Sequence, residues 1–321
     1  MDALSDVLRV AHLTGGVFLH ADFFAPWCVS ARVPPEQCAP ALGPASHLIL
    51  YHYVVEGELH VRIEGDDCES LVIGAGEVVL LPRNDMHLMG SDLSLPPVQG
   101  RDIIQQPPKD GGLFSIHHGG AGTRTRMICG FLGCASAEGN PVISTLPPLL
   151  KLSAEQSGAA EWIRSTFQYA AEEVAAGRPG SETVLAKLSE LLFVEAVRRY
   201  ADALPDGQIG WLAGLREPHV ARALTLMHRD INRRWTVDDL GREVGLSRSA
   251  LAERFIRLIG MPPMHYLASW RMQVATQKLR NTSASLAQVA ETVGYDSEAA
   301  FSRAFKKAFG AAPATWRRSN S

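Results

Sequence analysis

The chain has 321 residues, 46% of them hydrophobic and 20% charged, with 31 Lys+Arg against 34 Asp+Glu for a formal net charge of -3. That length and balance describe a soluble globular protein with room for two domains, each burying its own core. No apolar run approaches the ~18 residues of a membrane span, and the opening MDALSDVLRVAHLTGG is too acidic and too weakly apolar for a secretory leader, so a cytoplasmic location is expected. The five cysteines, Cys28, Cys38, Cys68, Cys129 and Cys134, are odd in number and without paired spacing, which argues against a disulfide framework.

Residues 1 to about 145 are rich in Gly, Pro and short apolar runs: His47–Val55, Leu59–Ile63, Ser70–Ile73 and Glu77–Leu81, broken at Gly57-Glu58, Gly65-Asp66-Asp67 and Gly74-Ala75-Gly76. Such runs predict antiparallel strands of a small sandwich or barrel. After Pro147-Pro148 the period turns helical, with Trp162, Phe167, Ala170 and Val174 on one segment and Val184, Leu188, Leu191, Leu192 and Val197 on the next. Their wide apolar faces need cover and carry no catalytic set, so residues 148–205 are expected to be a connector and a dimerisation surface. From Glu217 onward the pattern is helical throughout: His219–Asn232, Val237–Val244, Arg248–Ile259, Met264–Arg280, Leu286–Val293 and Glu298–Phe309. The expected class is α+β multidomain, with a β-barrel or sandwich over 1–147, the helical connector over 148–205 and an all-α domain over 213–321.

The net charge conceals a split. Residues 216–321 hold 17 Lys+Arg and 9 Asp+Glu, a net of +8, which leaves -11 for residues 1–215. A basic segment of this kind is the footprint of phosphate contact, although a merely solvated basic surface would give the same count.

Within that segment Leu240–Tyr266 recurs about fifty residues later as Val289–Trp316. Each copy has a short apolar helix, a glycine (Gly245, Gly294), a polar N-cap (Ser247, Ser297) and a second helix with basic residues, the form of a helix-turn-helix. Thr236 precedes Asp239 by three residues and Ser285 precedes Gln288 by three, two capping boxes that place the starts of the leading helices. Leu240, Val244, Leu251, Phe255 and Ile259, and likewise Val289, Val293, Phe301, Phe305 and Phe309, are spaced to form the two cores.

The residues between them face outward: Arg248, Ser249, Ala252, Glu253 and Arg257 in the first copy, and Ser297, Glu298, Ala299, Ser302, Arg303, Lys306 and Lys307 in the second. An arginine such as Arg303 can take guanine O6 and N7 together, Glu253 or Glu298 can accept from cytosine N4, and Ala252 or Ala299 can touch a thymine methyl. Arg257, Lys306 and Lys307, with the backbone N–H groups above the serine caps, suit phosphate. Met264–Arg280, at ~1.5 Å per residue a rod of about 25 Å, would set the two units about one turn of B-DNA apart, roughly 34 Å, so that one chain reads two successive major grooves.

Trp235–Arg318 resembles the DNA-binding domain of the arabinose-operon regulator (AraC/XylS) family of bacterial transcription factors. The resemblance rests on Ala290-x-x-x-Gly294-Tyr295, on the run from Ser297 to Lys307, and on Gly310-x-x-Pro313-x-x-Trp316-Arg317. It implies sequence-specific promoter binding, an activator that contacts RNA polymerase, and an N-terminal domain that senses a signal or dimerises the chain as a homodimer.

A second resemblance lies in the first half. Gly76-x5-Pro82-x4-His87 is similar to the second motif of cupins, with Asn84 where glycine is preferred, and His52, Val54, Glu58 and Gly65 meet the first motif in part. Ala25-Pro26-Trp27, Ile128-Cys129-Gly130 and Asn140-Pro141-x4-Leu146-Pro147 resemble the cupin-type ligand-binding domain of a subset of the same regulators. His52, Glu58 and His87 would make a 2-His-1-carboxylate set for zinc, iron or nickel. The alternative is that Gly57-Glu58 is a hairpin turn and the histidines pack on strands or line a pocket for a small organic effector. Oxidant sensing through Cys28 and Cys129, paired across the barrel, is a further reading, and His117-His118 are expected on a surface turn.

Three function classes compete on these residues. The first is a signal-responsive transcription regulator. A cupin enzyme with a DNA-binding tail is disfavoured by the missing second histidine, and a purely structural DNA-binding protein would show a steep salt slope with little sequence preference.

Overall fold

The chain folds into two compact units, each discontinuous in sequence: Leu13–Ala137 with Leu146–Tyr200, and Met1–His12 with Glu138–Thr145 and Ala201–Ser321. The structure, a computed structural model, describes residues 2–11, 13–34, 47–65, 69–105, 114–134, 140–152, 165–166, 169, 180–205 and 207–320. The expected helix carrying Trp162, Phe167, Ala170 and Val174 lies outside the described residues, as do Cys38 and Cys68.

The sheet-rich unit holds β1 (Thr14–Phe24), β2 (Cys28–Ala31), β3 (His47–Glu56), β4 (Glu58–Ile63), β5 (Leu71–Gly74), β6 (Val78–Leu81), β7 (His87–Gly90), β8 (Val98–Gln99), β9 (Ile104–Gln105), β10 (Phe114–Gly119), β11 (Arg124–Cys134) and β12 (Leu150–Leu152). A short helix, α2 (Gly100–Ile103), joins β8 to β9. One sheet has the order β12-β6-β3-β11-β1-β10-β9 and the other β5-β4-β7-β2-β8. Strand pairs are antiparallel except β1 with β10 and β2 with β8.

Alternation builds the core. Leu19, Ala21 and Phe23 on β1, Val29 on β2, Leu59 and Val61 on β4, Met89 on β7, and Met127 and Cys129 on β11 point into one buried cluster with Trp27, Val54, Ile73, Val79 and Ile116. Successive side chains on a strand face opposite ways, so every second residue enters it. Phe23 and Trp27 stack at 4.0 Å inside it. Burying each large side chain stabilises the fold by about 1.5–3 kcal/mol. Asn84 takes φ +54°, the left-handed backbone that glycine adopts at no cost and asparagine tolerates, and its amide nitrogen donates to the carbonyl of Val33 at 2.7 Å. This is the position where the cupin motif prefers glycine. His117 and His118, expected on a turn, belong to β10, because that segment pairs in parallel with Asp22 and Phe23 of β1.

The helical unit comprises α1 (Ala3–Ala11), α3 (Pro141–Thr145), the end of α4 (Ser181–Ala203), α5 (Trp211–Gly214), α6 (Pro218–Arg229), α7 (Val237–Val244), α8 (Arg248–Ile259), α9 (Pro263–Asn281), α10 (Leu286–Thr292), α11 (Glu298–Phe309) and α12 (Pro313–Asn320). The sequence reading counted residues 1–145 with the strands, yet α1 and α3 pack here. Ala3, Val7 and Ala11, four apart, give α1 one apolar face, and that face is buried where α1 meets α3, α6 and α9. Beside it His228 stacks on Trp270 at 4.0 Å and its Nδ1 faces the Asp6 carboxylate at 3.9 Å. The indole of Trp211 donates to the Tyr266 hydroxyl at 2.9 Å, and that hydroxyl is 2.8 Å from Nε2 of His228.

Candidate nucleic-acid interface

The two helix-turn-helix units are set by local chemistry. The Thr236 side chain accepts from the N–H of Asp239 at 3.1 Å while the Asp239 carboxylate accepts from the N–H of Thr236 at 3.2 Å; Ser285 and Gln288 repeat the exchange at 3.2 and 2.8 Å. Both capping boxes stand where the spacing placed them. Hydrogen bonding from Thr236 pulls the Asp239 pKa down, in keeping with a carboxylate that caps a helix. Ser247 and Ser297 cap α8 and α11 by accepting from Ala250 and Ala300, each at 3.2 Å. Gly245 and Gly260 end α7 and α8 with left-handed φ of +75° and +82°, as Gly310 ends α11 at +73°.

Leu251 and Phe255 are buried in the first unit, and Phe301 and Phe305 in the second, where they join Val289, Val293, Met272 and Leu279. That leaves Arg248, Ser249, Glu253 and Arg257 exposed on α8 with Ala252 half-buried among them. On α11, Glu298, Ala299, Arg303, Lys306 and Lys307 are exposed beside the capping Ser297, with Ser302 half-buried. Each set lies on one helix face. Arg248 has a loose partner in Asp238 at 3.7 Å, an exposed pair of little strength. Sequence reasoning passed over Ile256, 45% exposed on α8 at the repeat position that Lys306 holds on α11. On this helix the core is filled by Leu251 and Phe255, which leaves Ile256 on the outward side.

The barrel interior holds a separate constellation. His52 on β3, His87 on β7 and Cys129 on β11 all share the inward parity of their strands and are buried. Nδ1 of His52 is 2.9 Å from Sγ of Cys129, Nε2 of His52 is 3.2 Å from Nε2 of His87, and Nδ1 of His87 is 3.1 Å from the carbonyl of Asp85. A carbonyl only accepts, so Nδ1 of His87 carries hydrogen and its Nε2 is bare. His52 must then donate from Nε2 and accept at Nδ1, which makes the Cys129 thiol a donor. Burial pushes His52 down to about 3 and His87 to about 4, so both are neutral at pH 7, and burial raises the Cys129 thiol well above its ordinary value.

Two expectations fail in this geometry. Glu58 is exposed at the start of β4, one residue out of step with the inward Leu59, so it does not join His52 and His87. His52 also spends its two ring nitrogens in opposite directions, and among the described residues no three His, Cys, Asp or Glu side chains gather as a metal site. The residues do not fit zinc, iron or nickel. Cys28 is likewise not brought to Cys129: it alternates with the inward Trp27 and Val29, and thus faces away from the cluster that holds Cys129.

Comparison with known proteins agrees with both halves. A cupin family model matches residues 2–202 and a helix-turn-helix domain model matches residues 240–319. The chain is 33% identical over 325 residues to an AraC-like transcription regulator of Streptomyces lividans, covering 99% of this chain and 98% of that one. It is 32% identical over 277 residues to an AraC-like transcription regulator of Streptomyces antibioticus, covering 85% and 88%. It is 28% identical over 326 residues to the HTH-type transcriptional regulator AlkR of Acinetobacter baylyi, covering 99% of each.

Proposed function

Because the chain belongs to the AraC-like transcription regulators, with a cupin domain ahead of its helix-turn-helix region, we propose that α8 and α11 enter two successive major grooves of promoter DNA and that a signal received in the barrel alters their engagement. The observation that carries this reading is the pair of capped helices, each burying its aromatic or leucine side and presenting its polar side to solvent. Helix α9, 19 residues or about 28 Å long, supports the one-turn spacing of about 34 Å once the width of the units is added. The net +8 of residues 216–321 supplies the phosphate attraction.

The barrel element suited to a signal is the ordered chain Cys129–His52–His87. A small organic molecule that hydrogen-bonds either histidine, or an oxidant that takes the thiol, would break the single direction in which that chain donates. Activation through RNA polymerase, by a homodimer, completes the proposal.

The test is selection of a binding site from random DNA by the full chain, followed by footprinting. Two protected segments one helical turn apart per chain are expected. A single segment, or protection indifferent to sequence, would overturn the reading.

A further inference from the structure

The two helix-turn-helix copies differ by one residue in the turn, and that residue reaches across to the other copy. The first copy reads Gly245-Leu246-Ser247, and the second Gly294-Tyr295-Asp296-Ser297. Both turns close in the same way, Leu246 N–H donating to the Gly241 carbonyl at 2.8 Å and Tyr295 N–H to the Ala290 carbonyl at 2.9 Å. The extra Asp296 is therefore not needed to make the turn. It pairs with Arg234, which lies in the loop leading into α7 of the first copy.

Four further contacts bear on the same two places. Arg271, half-buried on α9, donates from Nε to the carbonyl of Ile231 at 2.9 Å and from Nη2 to the carbonyl of Arg233 at 2.8 Å. Its guanidinium carbon also lies 6.0 Å from the ring centroid of Tyr295. The backbone of the two copies meets at Gly294, where φ is +80° and a Cβ would lie 2.8 Å from Cα of Asn232 and 2.7 Å from Nη2 of Arg271. A charge half removed from water and satisfied by two carbonyls of one loop fixes geometry, because the planar fork accepts only one arrangement of its acceptors.

We infer that the loop Ile231–Arg234 and the turn Gly294–Asp296, clamped together by Arg271, form a latch that fixes the angle between α8 and α11 and so restricts one chain to one spacing of its two half-sites. Arg271 and Asp296 are positioning residues: they act through the placement of the recognition helices and read no base. Without the latch α9 would still tether the two units, but their relative rotation would be free to follow the DNA. The inference rests on the proposed reading that both helices contact DNA.

The experiment compares full-length chain on three duplexes: the selected site, the same site with one base pair inserted between the half-sites, and the site with one half-site scrambled. One added base pair turns the second half-site by about 34° and moves it about 3.4 Å, so wild type is expected to lose about tenfold in affinity on the inserted duplex. Arg271→Ala and Arg271→Lys, which both give up the two-carbonyl fork, are expected to lose less than about threefold between the same two duplexes, since a loose pair of helices can follow the shift. Asp296→Ala removes only an exposed pair and is expected to keep most of the wild-type discrimination. Arg271→Lys keeps the charge and most of the stem in place, and so tests the latch even if Arg271→Ala fails to fold. The readout is a ratio between two duplexes that differ only in the spacing of the half-sites, so a uniform effect of a substitution on DNA affinity cancels. An inserted-to-native ratio equal to that of wild type in a folded Arg271 variant overturns the latch. If scrambling either half-site leaves wild-type binding unchanged, the two-groove reading itself fails, and the latch with it.

Discussion

The hydroxyl of Tyr51 on β3 meets the hydroxyl of Ser189 on α4 at 2.9 Å, and it does so across a strand position that has no side chain, Gly130 on β11. Ser189 donates its own proton to the carbonyl of Leu185 at 2.9 Å, so Tyr51 is the donor between them. The ring lies flat over Gly130, where a Cβ would come within 2.2 Å of Oη. Gly130→Ala must therefore move the ring and break the Tyr51–Ser189 bond, and about 2–3 kcal/mol of barrel stability should be lost. Tyr51→Phe removes a donor and leaves Ser189 still bonded to Leu185, so only about 1 kcal/mol should go. Urea unfolding of the two variants gives the order, and equal losses would contradict the close approach.

Arg303→Ala should weaken binding to the selected site by about 1–3 kcal/mol and relax the preference at one base position, with little change on random DNA. Lys306→Ala should instead weaken both alike and make the salt dependence shallower by about one counterion. Titrations at three salt concentrations separate the two. An unchanged footprint for the Arg303 variant would remove it from the interface.

The two capping boxes should be worth about 1 kcal/mol each. Thr236→Ala frees the N–H of Asp239, and Ser285→Ala that of Gln288, both at exposed helix starts. Chemical denaturation of the full chain should show a drop for each. Restoration by Ser in place of Thr236 would identify the hydroxyl as the cause.

Acid should unfold both units earlier than their carboxylates alone would require. His52, His87 and His228 are held by burial at about 3, 4 and 3, against 6.5 in an unfolded chain. A depressed histidine leaves the folded state with fewer protons than the unfolded one, so its stability contribution is complete above pH 6.5. It is lost as pH falls from there toward the folded value. Between pH 7 and pH 5 each should cost about 2 kcal/mol. Unfolding curves at the two pH values, repeated with His228→Gln, test this; a flat response would mean the rings ionise inside the fold.

Much of the fold was legible because its signals are local. Thr236 with Asp239, Ser285 with Gln288, and the serine caps each state their helix start within four residues, and the structure places those starts accordingly. Asn84, noted only as standing where the cupin motif prefers glycine, proved to take left-handed backbone. What was misread is strand parity and partner choice. Counting by twos from Leu59 would have turned Glu58 outward, and counting from Val29 would have turned Cys28 away from Cys129. The same count puts His52, His87 and Cys129 inside together. The latch left no such trace, since nothing within a few residues of Arg271 says that its acceptors lie forty residues back.

Helix α1 carries a practical meaning. Because Ala3, Val7 and Ala11 bury against the helical unit and Asp6 stands beside His228, the first turns of the chain are a wall of the DNA-binding half. A fragment begun after the barrel would display an apolar scar where that wall belongs, and poor solubility of such a fragment would say nothing about its ability to hold DNA. Fusing it to residues 2–11 and to the α3 segment, residues 140–145, through flexible linkers would restore both missing pieces.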